Sequence, residues 1–259
     1  MKTRTSTNIF FSVIYALLIR EIKTRYGMKY GYFLALFEPL SHVLVLSIIF
    51  SLIGKTEYFS IPVEIFIGIS ILPWLFFNNM LNKLSSSFNA NKSLFYYRQV
   101  KPFDTLLSRG ILETILFTFS FLTIFILILI FEYKIEIKNF NQLFFVLFTI
   151  TYFNFTLALL VAVLNFFSNL FEKTFKLLMR PLYFLSAIFY PVMIIPNEYK
   201  YIFEYNPIAN SIELLRFSFF SQVKECYGNV YYLLLLGTIF LFFSLLIYKN
   251  FQYKILESR

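Results

Sequence analysis

Hydrophobic residues occur along the chain in runs long enough to cross a lipid bilayer, separated by short polar segments. A spanning helix needs roughly 20 mostly apolar residues. Six runs near this length lie at 33–54, 61–81, 106–131, 142–167, 177–195 and 229–248. Because a backbone in lipid must satisfy its hydrogen bonds within its own segment, these runs predict an all-α integral membrane protein with six transmembrane helices.

Lys and Arg residues are distributed unequally among the segments that join these runs. Of the 23 basic residues, 17 lie in the segments 1–32, 82–109, 168–180 and 249–259, and the alternate segments hold the other six. Basic residues beside a span resist translocation, so both termini are predicted to be cytoplasmic. These separate basic groups explain the net charge of +9, and no nucleic-acid partner is predicted.

Composition agrees with a membrane protein of one domain. The 259 residues are 59% hydrophobic and 14% charged, whereas soluble domains carry about 25% charged residues. The sequence has neither internal repeats nor a long linker. We therefore expect one domain over 1–259, with a cytoplasmic tail and interfacial helix at 1–32, six spans within 33–250 and a cytoplasmic tail at 251–259.

The apolar residues at 9–19 predict a helix that lies in the cytoplasmic surface of the membrane. The segment after them lacks a small-residue cleavage site, which excludes a cleaved signal peptide. Glu21 can pair with Arg25 one turn later. Arg20, Lys23 and Arg25 would bind anionic lipid head groups, or simply mark the cytoplasmic side. One face of this helix is predicted to carry Phe11, Ile14, Tyr15, Leu18, Ile22 and Tyr26.

Polar and helix-bending residues occur near the cytoplasmic end of the first span. Pro39 removes a backbone hydrogen bond and should bend the helix. Glu38 and His42 are one helical turn apart and share a face. Ionisable residues at this depth usually face protein or water. Two interpretations remain open, a polar contact at a moving junction or a buried hydrogen-bonded pair that fixes the junction.

The longest cytoplasmic connection between spans, 82–105, is predicted to contain a short amphipathic helix at 89–97. We expect Lys101, Pro102 and Asp104 to end this helix and to cap the third span, because proline disfavours helix at the residue before it. The helix either docks a soluble partner or lies flat on the bilayer. Its candidate contact residues are Asn89, Lys92, Leu94, Phe95, Tyr97 and Arg98.

The fifth hydrophobic run and the segment after it are irregular. Arg180 and Pro181 lie at the cytoplasmic start of the run, and Pro191 lies near its periplasmic end. The apolar pieces that follow are too short to cross, which predicts re-entrant helices on the periplasmic side. Glu213 can pair with Arg216 within such a helix. Further candidate residues in this region are Phe189, Tyr190, Asn206 and Pro207.

Residues able to carry out catalysis are scarce. Asp104 and His42 are the only Asp and His of the sequence, so neither a metal cluster nor a histidine-rich acid/base site can be assembled. Residues 54–56 resemble the tail of a phosphate-binding loop, but Ile49 stands where that motif requires glycine. The chain is therefore predicted to be neither an enzyme nor a cofactor-binding protein, with a membrane-embedded glycan or lipid transferase as the less favoured alternative.

Five motifs, in order along the chain, resemble the membrane subunits of ABC-2 type exporters. They are REIKTRYG at 20–27, GYFLALFEPL at 31–40, YRQVKPFDT at 97–105, FLSAIFYP at 184–191 and NPIANSIELLR at 206–216. Within that class the chain most resembles the capsular polysaccharide export permeases, with the O-antigen export permeases as near relatives. It departs from the family at Phe33 and Leu34, where Leu-Trp is more frequent, and at Ala187, where glycine is usual.

The resemblance implies a homodimer with two copies of a separate ATPase subunit, which would bind ATP and Mg²⁺. Carried over by position, the helix at 20–26 would gate the cytoplasmic entrance and the helix at 89–97 would couple to the ATPase. The substrate would be a lipid-linked capsular polysaccharide, with O-antigen or another lipid-linked glycan as the alternative. A periplasmic polysaccharide co-polymerase or adaptor and an outer-membrane export protein would carry the polymer onward from a bacterial inner membrane.

Overall fold

The chain folds almost entirely into helices, as seen in a computed structural model. The structure describes residues 6–27, 31–133, 137–168 and 170–257. The first residues of the predicted N-terminal tail, 1–5, and the last two of the C-terminal tail lie outside the described residues, as do the side chains of Phe33 and Leu34.

Ten α-helices form the described part of the chain. They are α1 Ser6–Tyr26, α2 Gly31–Leu52, α3 Val63–Ser85, α4 Ser87–Ala90, α5 Pro102–Ile130, α6 Phe140–Phe167, α7 Leu170–Leu185, α8 Asn197–Glu204, α9 Pro207–Phe219 and α10 Val230–Glu257. Short 3₁₀ helices cover Lys92–Tyr96 and Val192–Ile194. Between α2 and α3, the strands β1 Glu57–Tyr58 and β2 Ile61–Pro62 pair as an antiparallel hairpin.

Four of the described helices are long and apolar enough to cross a membrane, namely α3, α5, α6 and α10 as far as Gln252. They coincide with the second, third, fourth and sixth predicted spans. Helix α2 coincides with the first, and its residues Phe37–Leu52 count as a shorter apolar helix. The all-helical membrane architecture is thus confirmed, while the crossing of the bilayer by α2 and α7 stays a prediction.

The fifth predicted run, 177–195, is not one continuous helix. Helix α7 has 16 residues and ends at Leu185. Ala187 has a φ of +56°, a left-handed conformation that a right-handed helix cannot contain. At 1.5 Å per residue α7 is about 24 Å long, shorter than the roughly 30 Å hydrocarbon core of a bilayer.

Helix α3 lies at the centre of the bundle, where it packs against α2, α5, α6 and α9. Most of its residues are buried, including Phe66, Ile67 and Met80. Helix α10 packs against α6 and leaves eight of its described apolar side chains exposed, among them Leu235, Phe242 and Leu246. A helix that is apolar on every side belongs inside a bundle, and the exposed apolar faces of the outer helices suit contact with lipid.

Candidate functional site

Two Glu and two Arg residues join α1 to α5 at the end of the bundle predicted to be cytoplasmic, and we call Glu21, Arg25, Arg109 and Glu113 the ion-pair ladder. Arg109 Nε donates to Glu21 Oε1 at 2.8 Å, and Arg25 Nη1 donates to Glu113 Oε1. The predicted pair within α1 is confirmed, with Arg25 Nε 3.3 Å from Glu21 Oε2. Both interhelix pairs join residues 88 positions apart, so α1 and α5 run parallel at this contact.

The ladder is removed from solvent. Glu21 and Arg109 are each 8% exposed and Glu113 is 4% exposed. Burial of the Arg25 guanidinium opposes its charge, but the carboxylates of Glu113 and Glu21 outweigh this effect, so the pKa of Arg25 is raised above its usual value. Removing one partner would leave a buried charge uncompensated, which typically costs about 3–5 kcal/mol.

Arg109 also connects the ladder to the end of α3. Its Nη1 donates to the backbone oxygen of Lys83 at 2.8 Å. The last carbonyl groups of a helix have no partner within the helix, and a cation there also interacts favourably with the helix dipole. One arginine therefore holds α1, α3 and α5 together.

Arg20 connects α1 to the connection between α3 and α5. Its Nη1 donates to Asn91 Oδ1 at 2.7 Å. Asn91 is buried, and its Nδ2 donates to the backbone oxygen of Ser87 at 2.9 Å, which closes α4. Residues of the predicted gate helix and of the predicted coupling segment are thus in direct contact.

The predicted apolar face of α1 is only partly correct. Ile14 is buried as predicted, but the buried positions beside it are Val13, Leu17 and Glu21. Phe11 and Tyr15 are exposed on another side of the helix. Spacing alone cannot tell which apolar side meets protein and which meets lipid, because both environments accept the same residues.

The predicted binding of lipid head groups by the basic residues of α1 needs correction. The guanidinium group of Arg20 donates a hydrogen bond to Asn91, and that of Arg25 donates one to Glu113. Lys23 is exposed and keeps the position expected of a membrane anchor. The basic cluster therefore divides into two residues that bind protein and one that faces outward.

A polar cavity of about 290 Å³ lies beside the ladder, between α1, α2, α3 and α5. Arg25 lines it, and its Nη2 is buried without a hydrogen-bond partner among the described residues. Tyr26, Glu38, Lys83 and Glu113 also line the cavity. The cavity brings together two predicted groups of residues, those of the gate helix and those of the junction in span 1.

Glu38 and His42 do not form the expected side-chain pair. The ring nitrogen Nδ1 of His42 lies 2.9 Å from the backbone oxygen of Glu38, and the Glu38 carboxylate is exposed and 3.4 Å from Asn79 Nδ2. The alternative of a buried hydrogen-bonded pair is therefore wrong. The Glu38 carbonyl also accepts a hydrogen bond from the Ser41 hydroxyl at 2.8 Å, so the polar side chains that follow Pro39 bond to the backbone of their own helix.

The predicted amphipathic helix at 89–97 is not continuous. Helix α4 ends at Ala90, Asn91 turns the chain and a 3₁₀ helix follows at Lys92–Tyr96. Phe95 is 2% exposed and packs into the core, so it cannot contact a partner. The side chain of Asn91 competes for the backbone of α4, which ends the helix early. Among the candidate contact residues, Asn89, Lys92, Tyr97 and Arg98 are exposed and Leu94 is half-buried.

The third span begins one turn earlier than predicted. Helix α5 starts at Pro102, the first helical residue, with Lys101 as the capping residue. Asp104 is therefore not the cap itself but the third helical residue. Its Oδ2 accepts a hydrogen bond from the backbone N–H of Lys101 at 2.9 Å, which occupies one backbone donor at the helix start.

The two short helices predicted after the fifth run are present as α8 and α9. Asn206 caps α9, with its Oδ1 accepting from the backbone N–H groups of Ile208 and Ala209 at 2.9 and 3.4 Å. Pro207 occupies the first helical position, where its missing N–H costs nothing. Asn206 Nδ2 donates to the backbone oxygen of Leu185, which joins the start of α9 to the end of α7.

Arg216 in α9 is the most enclosed charge of the described chain and is 1% exposed. The predicted pair is confirmed, since Arg216 Nη1 donates to Glu213 Oε1 at 2.7 Å. Its Nη1 also donates to the backbone oxygen of Tyr190 at 3.1 Å, and its Nε donates to Ser70 Oγ in α3 at 2.7 Å. The remaining Nη2 donates to the backbone oxygens of Ala187 and Ile188 at 2.7 and 2.8 Å.

These bonds explain how the buried chain after α7 can be irregular. Backbone carbonyl groups outside a helix are costly in an apolar environment unless donors reach them. Arg216 supplies donors to three such carbonyl groups, and its guanidinium lies 4.1 Å from the centre of the Phe66 ring. The planar fork of arginine can serve several acceptors at once, which lysine cannot.

The other candidate residues of this region lie in α7 or in the segment that follows it. Pro191 is buried and precedes the second 3₁₀ helix. Phe189 packs on Tyr183 with ring centres 5.2 Å apart, and the Tyr190 hydroxyl donates to the backbone oxygen of Phe184. Arg180 and Pro181 are not at the start of a helix as predicted, because α7 begins ten residues before Arg180; both lie in its second half and are exposed.

Comparison with known proteins identifies the family. The model of the ABC-2 type transporter family matches residues 12–220. The chain belongs to this family. It is 30% identical over 244 residues to the polysialic acid transport protein KpsM of Escherichia coli, which covers 94% of this chain and 95% of that relative. It is 26% identical to the capsule polysaccharide export inner-membrane protein BexB of Haemophilus influenzae over 93% of this chain and 91% of the relative. The O-antigen export system permease protein RfbA of Klebsiella pneumoniae is 25% identical over 99% and 98%.

The ABC-2 match extends from α1 into the end of α9, and so includes both the ion-pair ladder and Arg216. As an ABC-2 permease, the chain is the membrane subunit of a transporter in the inner membrane, and the family implies an ATPase partner. Sequence reasoning missed Arg109 and Glu113. The available signal was their spacing of four residues near the start of an apolar helix, which matches the spacing of Glu21 and Arg25.

Proposed function

We propose that this chain is the permease subunit of an ATP-driven exporter that moves lipid-linked capsular polysaccharide across the bacterial inner membrane. The observation that carries the proposal is the similarity to the polysialic acid transport protein KpsM over nearly the full length of both chains. The scarcity of Asp and His supports transport over catalysis. Two copies of the chain and two copies of a separate ATPase, which binds ATP and Mg²⁺, complete the exporter.

The contacts suggest how ATPase movement would reach the gate. The ATPase docks against the exposed Lys92, Tyr97 and Arg98. Movement there passes through Asn91 to Arg20 on α1, at a contact of 2.7 Å. The ion-pair ladder makes α1 move together with the start of α5, because breaking a buried pair is costly.

At the other end of the bundle, the proposed function assigns α8 and α9 to the periplasmic exit. In this orientation both termini are cytoplasmic. Arg216 holds the chain between α7 and α8 in place, which gives a periplasmic co-polymerase or adaptor a stable surface. An outer-membrane export protein then receives the polymer.

Export of O-antigen is the second candidate, because the O-antigen permease RfbA matches nearly the whole chain as well. Deleting the gene in its native host and fractionating the cells distinguishes the candidates. Capsular polymer trapped in the cytoplasm would support capsule export. Normal surface capsule with O-antigen chains lost from the surface would support the second candidate, and absence of any polymer would favour a transferase.

A further inference from the structure

An apolar groove of about 540 Å³ lies between α2, α3 and α5, at the end of the bundle that carries the β-hairpin. Gly68 of α3 lies at the floor of the groove. A Cβ atom added to this glycine would lie 3.6 Å from the nearest side-chain atom of Val43 and 3.7 Å from that of Ile124. The side of the groove formed by α2 is open to the surroundings, as shown by the exposed side chains of Leu44, Ile48 and Leu52.

The groove has the length of one membrane leaflet. Along α2 its lining extends from Leu40 to Leu52. At 1.5 Å per residue this stretch measures about 18 Å, and half of a bilayer core of roughly 30 Å is about 15 Å. A single acyl chain in the groove would therefore lie parallel to the chains of the surrounding leaflet.

Polar groups with negative charge lie at one end of the groove. Glu64, in the first turn of α3, accepts a hydrogen bond from the Tyr133 hydroxyl at 3.0 Å, and both residues line the groove. Phe131 and Tyr133 both line the groove, and Glu132, which lies between them in the sequence, is exposed. The two serines farther along, Ser47 and Ser51, belong to the α2 wall, and the Ser47 hydroxyl donates to its own helix.

We propose that this groove binds one membrane phospholipid with an ammonium head group, such as phosphatidylethanolamine. An acyl chain lies along α2, and the ammonium group pairs with the Glu64 carboxylate. An apolar groove with an acidic residue at one end is complementary to a lipid that has an acyl chain and a positively charged ammonium group. An anionic head group would be repelled by Glu64 and Glu132. We assign this lipid to the periplasmic leaflet, which rests on the orientation given under the proposed function, whereas the binding site itself does not depend on that orientation.

Photocrosslinking with two lipids tests the proposal. The full-length protein is placed in nanodiscs that contain phosphatidylethanolamine or phosphatidylglycerol, each with a diazirine on one acyl chain, and labelled peptides are mapped by mass spectrometry. We expect labels within 43–52 and 124–131. Phosphatidylethanolamine should label these peptides roughly two- to fivefold more than phosphatidylglycerol, the range expected of one partly exposed ion pair.

Variants separate the head-group contact from the groove itself. Glu64→Gln should abolish the preference between the two lipids, and Glu198→Gln, an exposed carboxylate on α8, is the matched control. Ser47→Phe and Gly68→Leu fill the groove and should lower labelling by both lipids. Ile126→Phe, on an exposed position of α5 outside the groove lining, should not.

Equal labelling by the two lipids in the unmodified protein, or a preference that persists in Glu64→Gln, would overturn the proposal. A second copy of the chain seated in the groove would overturn it as well. Ser51→Cys in a Cys226→Ser background detects a second copy that brings its own residue 51 to the groove, because oxidation would then join the two copies by a disulfide. None of these readouts measures glycan export, so the lipid site and the proposed function can fail independently.

Discussion

A buried arginine in a membrane protein is costly unless each of its N–H groups finds an acceptor. Arg216 meets this condition through one carboxylate, one hydroxyl and three backbone carbonyl groups. Sequence spacing predicted the pair with Glu213. It could not predict the three carbonyl groups, because they belong to a loop whose course depends on the packing of α7 and α9.

Replacing Arg216 with methionine should destabilise the protein severely. The change leaves Glu213 buried without its partner and three carbonyl groups without donors, at a cost of about 3–5 kcal/mol. Fluorescence-detected size exclusion after heating measures the loss of folded protein. Lys224→Met, which removes an exposed charge nearby, should stay within about 0.5 kcal/mol of the unmodified protein. Unchanged melting of Arg216→Met would show that other contacts hold the loop.

Substitutions of Ala187 test the importance of the left-handed turn after α7. Its φ of +56° is difficult for any residue with a Cβ and worst for β-branched ones, and its side chain is fully buried. Ala187→Val should therefore cost about 1–3 kcal/mol through overpacking alone, in addition to backbone strain. Ala187→Gly, which accepts this φ, is the control and should keep a near-normal melting temperature. Equal stability of the two variants would contradict the role assigned to the backbone.

At the scale of elements, the structure divides the basic cluster of α1 by function. Arg20→Gln should lower polymer export roughly tenfold, because a hydrogen bond to a charged group is worth about 1.5–3 kcal/mol. Lys23→Gln, on the exposed side, should leave export near normal. Export is measured as surface capsule at equal membrane levels of protein.

The contact between α1 and α4 also predicts coupling between mutations. Asn91→Ala should impair export like Arg20→Gln, and the double variant should be little worse than either, since both remove the same hydrogen bond. Fully additive losses would mean that Arg20 and Asn91 act separately.

The exposed basic residues of the coupling segment predict a loss of ATPase coupling. Lys92→Glu combined with Arg98→Glu should leave the protein in the membrane but separate ATP hydrolysis from export, because the docking surface reverses its charge. The measurement is ATPase activity of the purified complex beside export in cells. Lys23→Glu with Lys173→Glu, two exposed charges on other helices, is the matched control. Normal export by the first variant would refute the docking assignment.

At the scale of the whole molecule, the orientation in the membrane follows from the distribution of basic residues. We expect Ser221→Cys, between α9 and α10, to react with a membrane-impermeant maleimide added to spheroplasts, in a Cys226→Ser background. Ser93→Cys should react only after the membrane is opened, because it lies at the opposite end of the bundle. Both side-chain positions are exposed. The reverse pattern would place the termini in the periplasm.

The sequence by itself determined the helical membrane architecture, four helices of membrane-spanning length, the pairs Glu21–Arg25 and Glu213–Arg216 and the short helices after α7. These features depend on local spacing and on runs of apolar residues. A bilayer requires such runs, because a segment that crosses it must be apolar and helical. Errors occurred where the same residues suit two environments, as on the apolar sides of α1 and at Phe95.

Only the tertiary structure decided which charges meet across the bundle. Arg109 and Glu113 lie 88 positions from their partners, and Ser70 lies 146 positions from Arg216. No local pattern specifies such contacts, because they depend on how complete helices pack around α3. The lipid environment adds to this dependence, since a buried charge must find its partner wherever the packing brings one within reach.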